Sequence, residues 1–385
     1  MAYTLMRGIG RLLDGENLQI AHSSGQRGVR MTDLSFHRCY IIVWRLLMFS
    51  TRYKWKRVSS VRLIAGCALI VLFPGGINAQ PEEPEDDSDP QESIESRKEV
   101  TNVCGKTTLK LWQACKLETH DAAAVETAQC LNLSDPQASK DCEQARRITR
   151  AEALVQCAAV SKARDEVCTK LGAGPYDPII DPANFVVGIN NPHTPFAPGA
   201  FRVYEKKTAT GGVERIRVEV LPETRVIMGV TVITLRDVVT RDGVLIEDTK
   251  DWLAQDKQGN VWYFGEIVQN FEDGLLANLS GSFEAGKEKA KAGLWMKGNP
   301  KVGDYYRQEW SLNNAEDIVE VVSLDALDTN VPFSQNGTGP ILKTLNITPL
   351  SPGVVEYKYY VPGIGFALEL KSTGERLELV DYGPR

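Results

Sequence analysis

Six cysteines between positions 104 and 168 constrain the fold of this chain more than any other feature of its 385 residues. Their spacing is symmetric about position 136 and pairs them as Cys104 with Cys168, Cys115 with Cys157, and Cys130 with Cys142. Two antiparallel helices joined near this position place the two cysteines of each pair side by side. Steps of 11 and 15 residues keep the cysteines of each helix on one face. The sequence therefore predicts a helical hairpin over 101–171 that is closed by three nested disulfides.

The turn between the two predicted helices is marked by its own residues. Ser134, Asp135, Pro136 and Gln137 provide a cap, a proline for the first helical turn and a glutamine for a capping box. Free buried thiols and a metal site are the alternatives for the cysteines. Disulfides form in oxidising compartments, and the chain lacks the Cys-x-x-Cys spacing that is typical of zinc sites. We therefore favour disulfides, and we expect no metal and no other cofactor.

A basic segment followed by a short apolar run predicts that the protein is exported. Five Lys and Arg residues lie between 52 and 62, the apolar run is Leu63–Phe73, and small residues follow up to Ala79. This order is typical of a secretory signal peptide that starts at Met48 and is cleaved after Ala79. A membrane anchor is the alternative, but the run is too short to span a bilayer. We assign 1–79 to an N-terminal extension and signal peptide, and we predict a secreted or periplasmic, envelope-associated protein.

Two further alternatives concern this N-terminal region. Met31 is a second candidate for the start of the chain. The residues Ile64-Ala65-Gly66-Cys67 look like a lipoprotein box, but most of the apolar run follows Cys67 instead of preceding it. Lipidation is therefore not favoured, and contact with a membrane is expected only during export.

Charge is distributed unevenly along the chain. Residues 1–79 carry 11 Lys and Arg against 3 Asp and Glu, a net +8, so the total of −6 leaves −14 for the remainder. An acidic mature protein without a basic patch is not expected to bind nucleic acid. Seven acidic residues and three prolines between 80 and 92 predict a disordered acidic linker over 80–100.

From residue 201 onward the apolar pattern changes to a period of two, which is typical of strands. Twelve short strands separated by glycine-containing turns predict an antiparallel meander over 201–385, curled into a half-barrel or a barrel. A connector rich in Pro and Gly, residues 172–200, precedes this sheet. Gly229 falls inside a strand predicted near 226–239 and indicates a bulge or bend. The predicted fold class is therefore α+β.

The stretch 251–266 predicts a β-hairpin at the centre of the sheet. Residues 256–259, Asp-Lys-Gln-Gly, fit a type I turn with the glycine in the left-handed conformation. Alternation then predicts three facing pairs, namely Ala254 with Trp262, Trp252 with Phe264, and Lys250 with Glu266. One face would carry three aromatic rings closed by an ion pair, and aromatic pairs across strands favour a single register.

Several stretches of the β domain match a family of proteins. The longest reads Asp-Trp-x-Ala-Gln-Asp-x-x-Gly-Asn-Val-Trp-Tyr-Phe-Gly-Glu, and the matching stretches are 198–199, 251–266, 281–286, 302–309, 315–317 and 352–360. On these residues the chain resembles a family of uncharacterised secreted bacterial proteins, from about 182 to 381. Leu253 stands where an aromatic residue is expected, and His193 where a tyrosine is expected. The resemblance implies location and domain extent, but no chemistry.

Two looser resemblances concern architecture alone. The helical hairpin resembles the twin Cys-x9-Cys hairpins of the CHCH class, although its spacing is Cys-x10-Cys and a third cysteine pair is added. The layout of the β domain is similar to the curled-sheet lipid carriers of bacterial envelopes, which is an analogy at the level of fold.

Catalytic motifs are scarce in this sequence. Beyond the predicted signal peptide the histidines are His120 and His193, and each is more typical of a surface or capping residue than of a base. Carboxylates remain, since a pair about 5–10 Å apart can hydrolyse a glycoside. Asp251, Glu266 and Glu309 are the candidates for that role, although most such residues are turn residues or partners of basic side chains.

Aromatic residues on the predicted strands are the second group of candidate functional residues. The candidates for binding a ligand are Trp252, Trp262, Phe264, Tyr305, Trp310, Tyr357 and Tyr359. They would form either the core of the sheet or the wall of a pocket on its concave face.

The favoured function is therefore non-catalytic binding of an apolar or amphipathic ligand, such as a lipid, or of a partner. A carboxylate-dependent hydrolase acting on extracellular glycans and a purely structural envelope module are the alternatives. A contiguous apolar cavity inside the sheet would support the first hypothesis. Two facing carboxylates in an open groove would support the hydrolase, and a filled core without a cleft would leave the structural module.

Overall fold

Two long helices followed by a run of antiparallel strands make up the computed structural model, which describes residues 102–208, 211–327, 330–334 and 340–384. The predicted signal peptide and acidic linker lie outside these residues and stay predictions. The hairpin and the sheet belong to one unit, Ser93–Arg385. The predicted fold class, a stapled helical hairpin followed by an antiparallel sheet, is confirmed.

Each long helix begins after a residue whose side chain caps it. Helix α1 (Val103–Leu131) starts after Asn102, whose Oδ1 accepts a hydrogen bond from the backbone N–H of Gly105 at 2.7 Å. Helix α2 (Pro136–Leu171) starts after Asp135, whose Oδ1 accepts from the N–H of Gln137 at 2.9 Å. These bonds satisfy N–H groups that a helix leaves unpaired in its first turn.

Three disulfides join α1 to α2 in the nested order that the spacing predicts. The Cα–Cα distances are 5.8, 5.8 and 5.5 Å for Cys104–Cys168, Cys115–Cys157 and Cys130–Cys142. Packing contributes less than is usual for helices of this length, since α1 buries five side chains in 29 residues and α2 buries four in 36. The three disulfides therefore contribute much of the stability of the hairpin.

Fifteen strands belong to one antiparallel sheet, and a short 3-10 helix (Pro182–Asn184) precedes them. In chain order the strands are β1 (Phe185–Val186), β2 (Phe201–Lys207), β3 (Val213–Ile227), β4 (Val230–Arg241), β5 (Val244–Asp256), β6 (Val261–Glu272), β7 (Leu275–Asn278), β8 (Phe283–Glu284), β9 (Gly293–Met296), β10 (Tyr305–Arg307), β11 (Ile318–Ser323), β12 (Leu342–Ile347), β13 (Glu356–Val361), β14 (Gly365–Lys371) and β15 (Arg376–Gly383).

The sheet is open and strongly curled. Its strands follow the order β10-β11-β12-β13-β14-β15-β2-β3-β4-β5-β6-β7, with β1 paired to β5 and with β8 and β9 paired to β6. Leu253 and Tyr263, on β5 and β6, share a core with Val319 and Leu342, on β11 and β12. The two halves of the sheet therefore face each other, and one concave surface is turned inward.

One predicted strand proves to be two. The segment predicted near 226–239 turns at Met228 and Gly229, which join β3 to β4 with backbone φ angles of 50° and 81°. Two consecutive residues of positive φ form the tight hairpin turn that matches the twist of antiparallel strands. The bulge or bend predicted at Gly229 is therefore wrong, because the glycine serves a reversal of the chain.

A buried ion pair joins the helical hairpin to the sheet. Arg164 on α2 donates two hydrogen bonds to Glu316, at 2.9 and 2.7 Å, and both side chains are more than nine-tenths buried. Glu316 also accepts the N–H of Asn313 at 2.6 Å. Nearby, Lys170 pairs with Glu320 at 2.7 Å. The hairpin is thus fixed against the end of the sheet where β10 and β11 lie.

Candidate functional site

A cavity of about 200 Å³ lies on the concave side of the curled sheet. Its apolar wall includes Phe196, Tyr204, Trp295, Tyr360 and Phe366, together with aliphatic side chains of β3 and β4. Its polar groups are few and include two carboxylates, one lysine and one arginine. An apolar wall with a small number of convergent polar groups is typical of a binding site for a small molecule.

The connector before the sheet contributes to the wall of this cavity. Thr194 and Phe196 line it, and Asn191 anchors the segment by donating to the carbonyls of Gly259 and Lys297 at 3.0 and 3.1 Å. Arg202 also holds the segment, since its guanidinium donates to the carbonyl of Pro195 at 2.9 Å. The stretch predicted as an irregular connector therefore has a structural role at the site.

A β-bulge in the central hairpin decides which side chains face the cavity. The predicted pairing of Ala254 with Trp262 is observed, but between Trp252 and Leu253 the register shifts by one residue. Trp252 then faces Gly265 instead of Phe264, and Asp251 faces Glu266. The predicted pairing of Trp252 with Phe264 is therefore wrong, and Phe264 is the extra residue of the bulge.

The bulge also removes the predicted ion pair of Lys250 with Glu266. Lys250 faces Ile267, and its Nζ lies 2.9 Å from Glu223 Oε1 instead. Residues directly opposite each other on neighbouring strands point to the same face of a sheet. Because Asp251 lines the cavity, its new partner Glu266 is turned to the concave face with it.

Gly265 is the residue that permits this bulge. Its φ of 126° is rare for residues with a side chain, and a Cβ placed on it would lie 2.2 Å from the carbonyl oxygen of Phe283. Strand β8 pairs with β6 at this point, with Glu284 opposite Gly265. Only glycine allows so close an approach of two backbones. The bulge is therefore encoded by a single residue of the Gly-Glu pair that ends the central motif.

The three carboxylates that the sequence singles out lie within electrostatic range of one another. Asp251 Oδ1 accepts a hydrogen bond from the hydroxyl of Tyr263 at 2.5 Å. Burial raises the pKa of Asp251 to about 6, and the bond from Tyr263 opposes that rise. Burial and the charge of Asp251 raise the pKa of Glu266 well above its usual value. Burial, Asp317 and Glu266 do the same to the pKa of Glu309. The structure thus brings Asp251, Glu266 and Glu309 together.

Two further acids belong to this group: Asp317, which lies in one of the matching stretches, and Asp237, which was missed in the sequence. Asp237 lines the cavity, and burial followed by the charge of Asp251 raises its pKa well above the usual value. Burial raises the pKa of Asp317, although Lys358 opposes the rise. A signal for Asp237 did exist, because it stands in phase with Leu235 and other apolar positions of β4. We call Asp237, Asp251, Glu266, Glu309 and Asp317 the interior acid group.

The basic residues next to this group are already engaged. Lys358 lies 3.4 Å from Glu356 and 3.7 Å from Glu369, and Lys371 lies 2.6 and 3.6 Å from the same two acids. Burial lowers the pKa of Lys358, but Glu369 and Glu356 raise it by more. Within the residues that the structure describes, no member of the interior acid group forms an ion pair. No three His, Cys, Asp or Glu residues of the described ranges are arranged to hold a metal ion.

The aromatic residues predicted to bind a ligand lie elsewhere, and none of the seven lines the cavity. Trp252 and Phe264 are buried on the convex face, where Phe185 from the connector packs on Phe264 at 5.6 Å between ring centroids. Trp262 belongs to the same cluster, and its indole N–H donates to Asp256 at 2.9 Å. Strand alternation explains this placement, since Asp251 faces inward and its neighbour Trp252 must face outward.

The remaining four predicted aromatic residues also have packing roles. Tyr305 lies under Lys170 of the helical hairpin, with 4.6 Å between the Nζ and the ring centroid. Arg307 lies over the ring of Trp310, and the ring of Tyr176 contacts Trp310 at a tilt of 60°. Two others, Tyr357 and Tyr359, lie under Lys343, and Tyr359 is buried in a second apolar cluster. None of these four residues lines the cavity.

Comparisons with known proteins add little to this description. No protein-family model and no curated protein matches the chain. A solved structure with some likeness is that of a putative lipoprotein from Parabacteroides distasonis, which is 13% identical, covers 51% of this chain and 99% of its own, and superposes with a TM-score of 0.27. That score is too low to support an inference about fold or function. No helix in the part of the chain that the structure describes is long and apolar enough to cross a membrane.

Proposed function

We propose that this protein is a non-catalytic binding protein of the extracytoplasmic space, whose curled sheet holds a small amphipathic ligand. The observation that carries the proposal is the cavity of about 200 Å³, with an aromatic and aliphatic wall and a few polar side chains. A filled core would instead favour a purely structural module. The resemblance to secreted bacterial proteins and the predicted signal peptide agree with this proposal.

The location follows from the covalent chemistry of the hairpin. Three disulfides persist in oxidising environments and are rare in proteins that stay in the cytosol. The disulfides therefore support an extracytoplasmic or envelope location.

The volume of the cavity limits the ligand. A cavity of about 150 Å³ lined by aliphatic and aromatic side chains can hold one molecule of benzene. A cavity of about 200 Å³ therefore suits a ring-sized molecule or the end of an acyl chain. A whole membrane lipid exceeds this volume, so the analogy with lipid carriers extends to the curled sheet alone.

A carboxylate-dependent hydrolase is the second candidate, and one observation favours it. Asp251 and Glu266 are directly opposite on neighbouring strands, which places their Cβ atoms about 4.5–5.5 Å apart. Retaining glycosidases use two carboxyl groups at a separation of about 5–5.5 Å. A glycan chain, however, needs a groove that is open along its length, whereas Asp251 lines a cavity of ring size. Binding without catalysis is therefore the better-supported function.

Binding of indole, a neutral molecule of ring size, tests the proposal by titration calorimetry. Val218 is half-buried on β3 and lines the cavity, so a Val218→Trp change fills the space with its own side chain. We expect saturable binding to the wild-type protein and its loss in Val218→Trp. Val226→Trp is the matched control, because Val226 is on the same strand and 66% exposed. Unchanged binding after Val218→Trp, or no binding to the wild type, would contradict the proposal.

A further inference from the structure

The interior of the sheet holds more negative than positive groups. Lys358 and Lys371 are matched by Glu356 and Glu369 in one ion-pair network, which leaves no net charge there. The five carboxyl groups of the interior acid group have no comparable partner among the described residues. Burying a carboxylate without a cation is costly, and such a group either takes up a proton or attracts a positive charge.

One acid that lines the cavity has a buried oxygen without a hydrogen-bond partner among the described residues. Asp237 lines the cavity, and its Oδ1 is buried without a hydrogen-bond partner in the described ranges. Nearly all buried polar atoms in folded proteins have such a partner, so an exception calls for an explanation. Asp251, which lies diagonally across from it on β5, also lines the cavity and accepts one bond from Tyr263. Both acids therefore have acceptor capacity that a ligand with N–H donors can use.

We propose that the cavity is selective for an organic cation, a protonated amine carried on an apolar body of about one ring. The ammonium group would lie between Asp237 and Asp251, and the apolar body would lie against Trp295, Tyr204 and Tyr360. Aromatic faces stabilise a nearby cation, so these walls suit both parts of the ligand. This inference rests on the proposed function, because it names the ligand class of the same cavity.

Each of the two basic side chains that border the cavity already has acceptors in the protein. Lys358 borders the cavity, but Glu356 and Glu369 hold its ammonium group. Arg202 borders it too, and its guanidinium donates to the carbonyls of Ile364 and Pro195, each at 2.9 Å. A carboxylate or phosphate placed here would also face the acceptor oxygens of the interior acid group. The electrostatics of the cavity therefore favour a cation over an anion of the same size.

Three ligands of one shape and different charge test the proposal on the full chain. Titration calorimetry at neutral pH compares 2-phenylethylamine, 2-phenylethanol and phenylacetate. We expect the amine to bind about tenfold or more tightly than the alcohol, since a charge-assisted hydrogen bond is stronger than a neutral one. We expect phenylacetate to bind most weakly.

Variants then connect the preference to the named acids. Asp237→Asn keeps the volume of the side chain and removes its charge, so it should lower the affinity for the amine by a larger factor than the affinity for the alcohol. Asp251→Asn should act in the same direction and serves as a second variant. Asp381→Asn is the matched control, since Asp381 is exposed on β15, and it should leave all three affinities unchanged.

The outcomes distinguish failure of the cation preference from failure of the binding function. Equal affinity for amine and alcohol, or tighter binding of phenylacetate, overturns the cation proposal and leaves the binding function intact. A preference for the amine that survives both Asp237→Asn and Asp251→Asn also overturns it, because the selectivity then has another origin. If neither the three ligands nor indole binds to the wild type, both proposals fall.

Discussion

The helical hairpin and the sheet of this protein are stabilised in different ways. The hairpin relies on three disulfides and buries few side chains, whereas the sheet has three apolar clusters and its sequence contains no cysteine beyond Cys168. Covalent bonds specify which residues of the hairpin meet. In the sheet, strand register and packing specify which residues meet, and both depend on single residues such as Gly265. The hairpin is therefore robust to surface substitutions, and the sheet can shape a cavity.

A second difference concerns where charge is placed. Hairpin and sheet meet at a buried ion pair, Arg164 with Glu316, in which each charge has a partner. Inside the sheet, five acids share a space without ion-pair partners among the described residues. The paired charges fix one part of the protein to the other. The unpaired ones reduce stability, which is typical of groups retained for function.

The largest expected effect is that of reducing the disulfides. Each should contribute about 2–4 kcal/mol, chiefly by restricting the unfolded chain, so their combined loss exceeds what the few buried side chains of α1 and α2 can replace. We expect the two helices to lose protection from hydrogen exchange after reduction, while β4, β5 and β6 keep theirs. Mass spectrometry of exchanged peptides measures both regions in one sample.

Single disulfides provide a control for that experiment. Cys104–Cys168 spans 64 residues and Cys130–Cys142 spans 12, so replacing the first pair by serine should destabilise the hairpin more than replacing the second. If the sheet loses its protection together with the helices, the two regions form one cooperative unit and are not stabilised in different ways.

An intermediate effect is expected for Gly265→Ala, which tests how one residue specifies the sheet. The added Cβ would meet the backbone of Phe283 at 2.2 Å, so the bulge cannot persist unchanged. We expect a loss of about 3 kcal/mol or more, which is large for a single substitution. Urea unfolding followed by tryptophan fluorescence measures this change.

Gly274→Ala is the matched control for the bulge. Gly274 also has a positive φ, of 76°, but no atom lies within 4 Å of the position of its Cβ. Backbone conformation alone should then cost about 1–2 kcal/mol. Equal losses for the two variants would show that close approach of β8 does not specify the bulge.

The smallest expected effect is the dependence of stability on pH. The pKa of Asp251 rises from 3.8 to about 6, so the folded protein holds this proton more tightly than the unfolded chain does. Stability should therefore fall as pH rises from about 4 through 6, by about 1–3 kcal/mol for this residue. Urea unfolding between pH 4 and pH 8 measures the slope, which Asp251→Asn should flatten and Asp381→Asn should not. A wild-type stability that rises over this range would contradict the assignment of a raised pKa.

The sequence by itself determined the organisation of the chain. The symmetry of six cysteines was sufficient to predict both helices and all three disulfide pairs, because a helix converts sequence spacing into position along an axis. The period of two after residue 201 predicted the antiparallel meander and the turn at Gly259, since alternation and turn residues are local properties. The sequence also named Asp251, Glu266 and Glu309 as candidate acids, and their catalytic role stays a prediction.

Only the tertiary structure decided which face of each strand is turned inward. A shift of one residue exchanges the two faces of a strand, and the bulge at Phe264 made this exchange for Glu266. Trp252 and Phe264 became core on the convex face, while Asp237 and Asp251 came to the cavity. Periodicity alone cannot show this, because a curled sheet is apolar on both faces. The physical reason is that the side of burial depends on what covers each face, here the connector outside and the opposite half of the sheet inside.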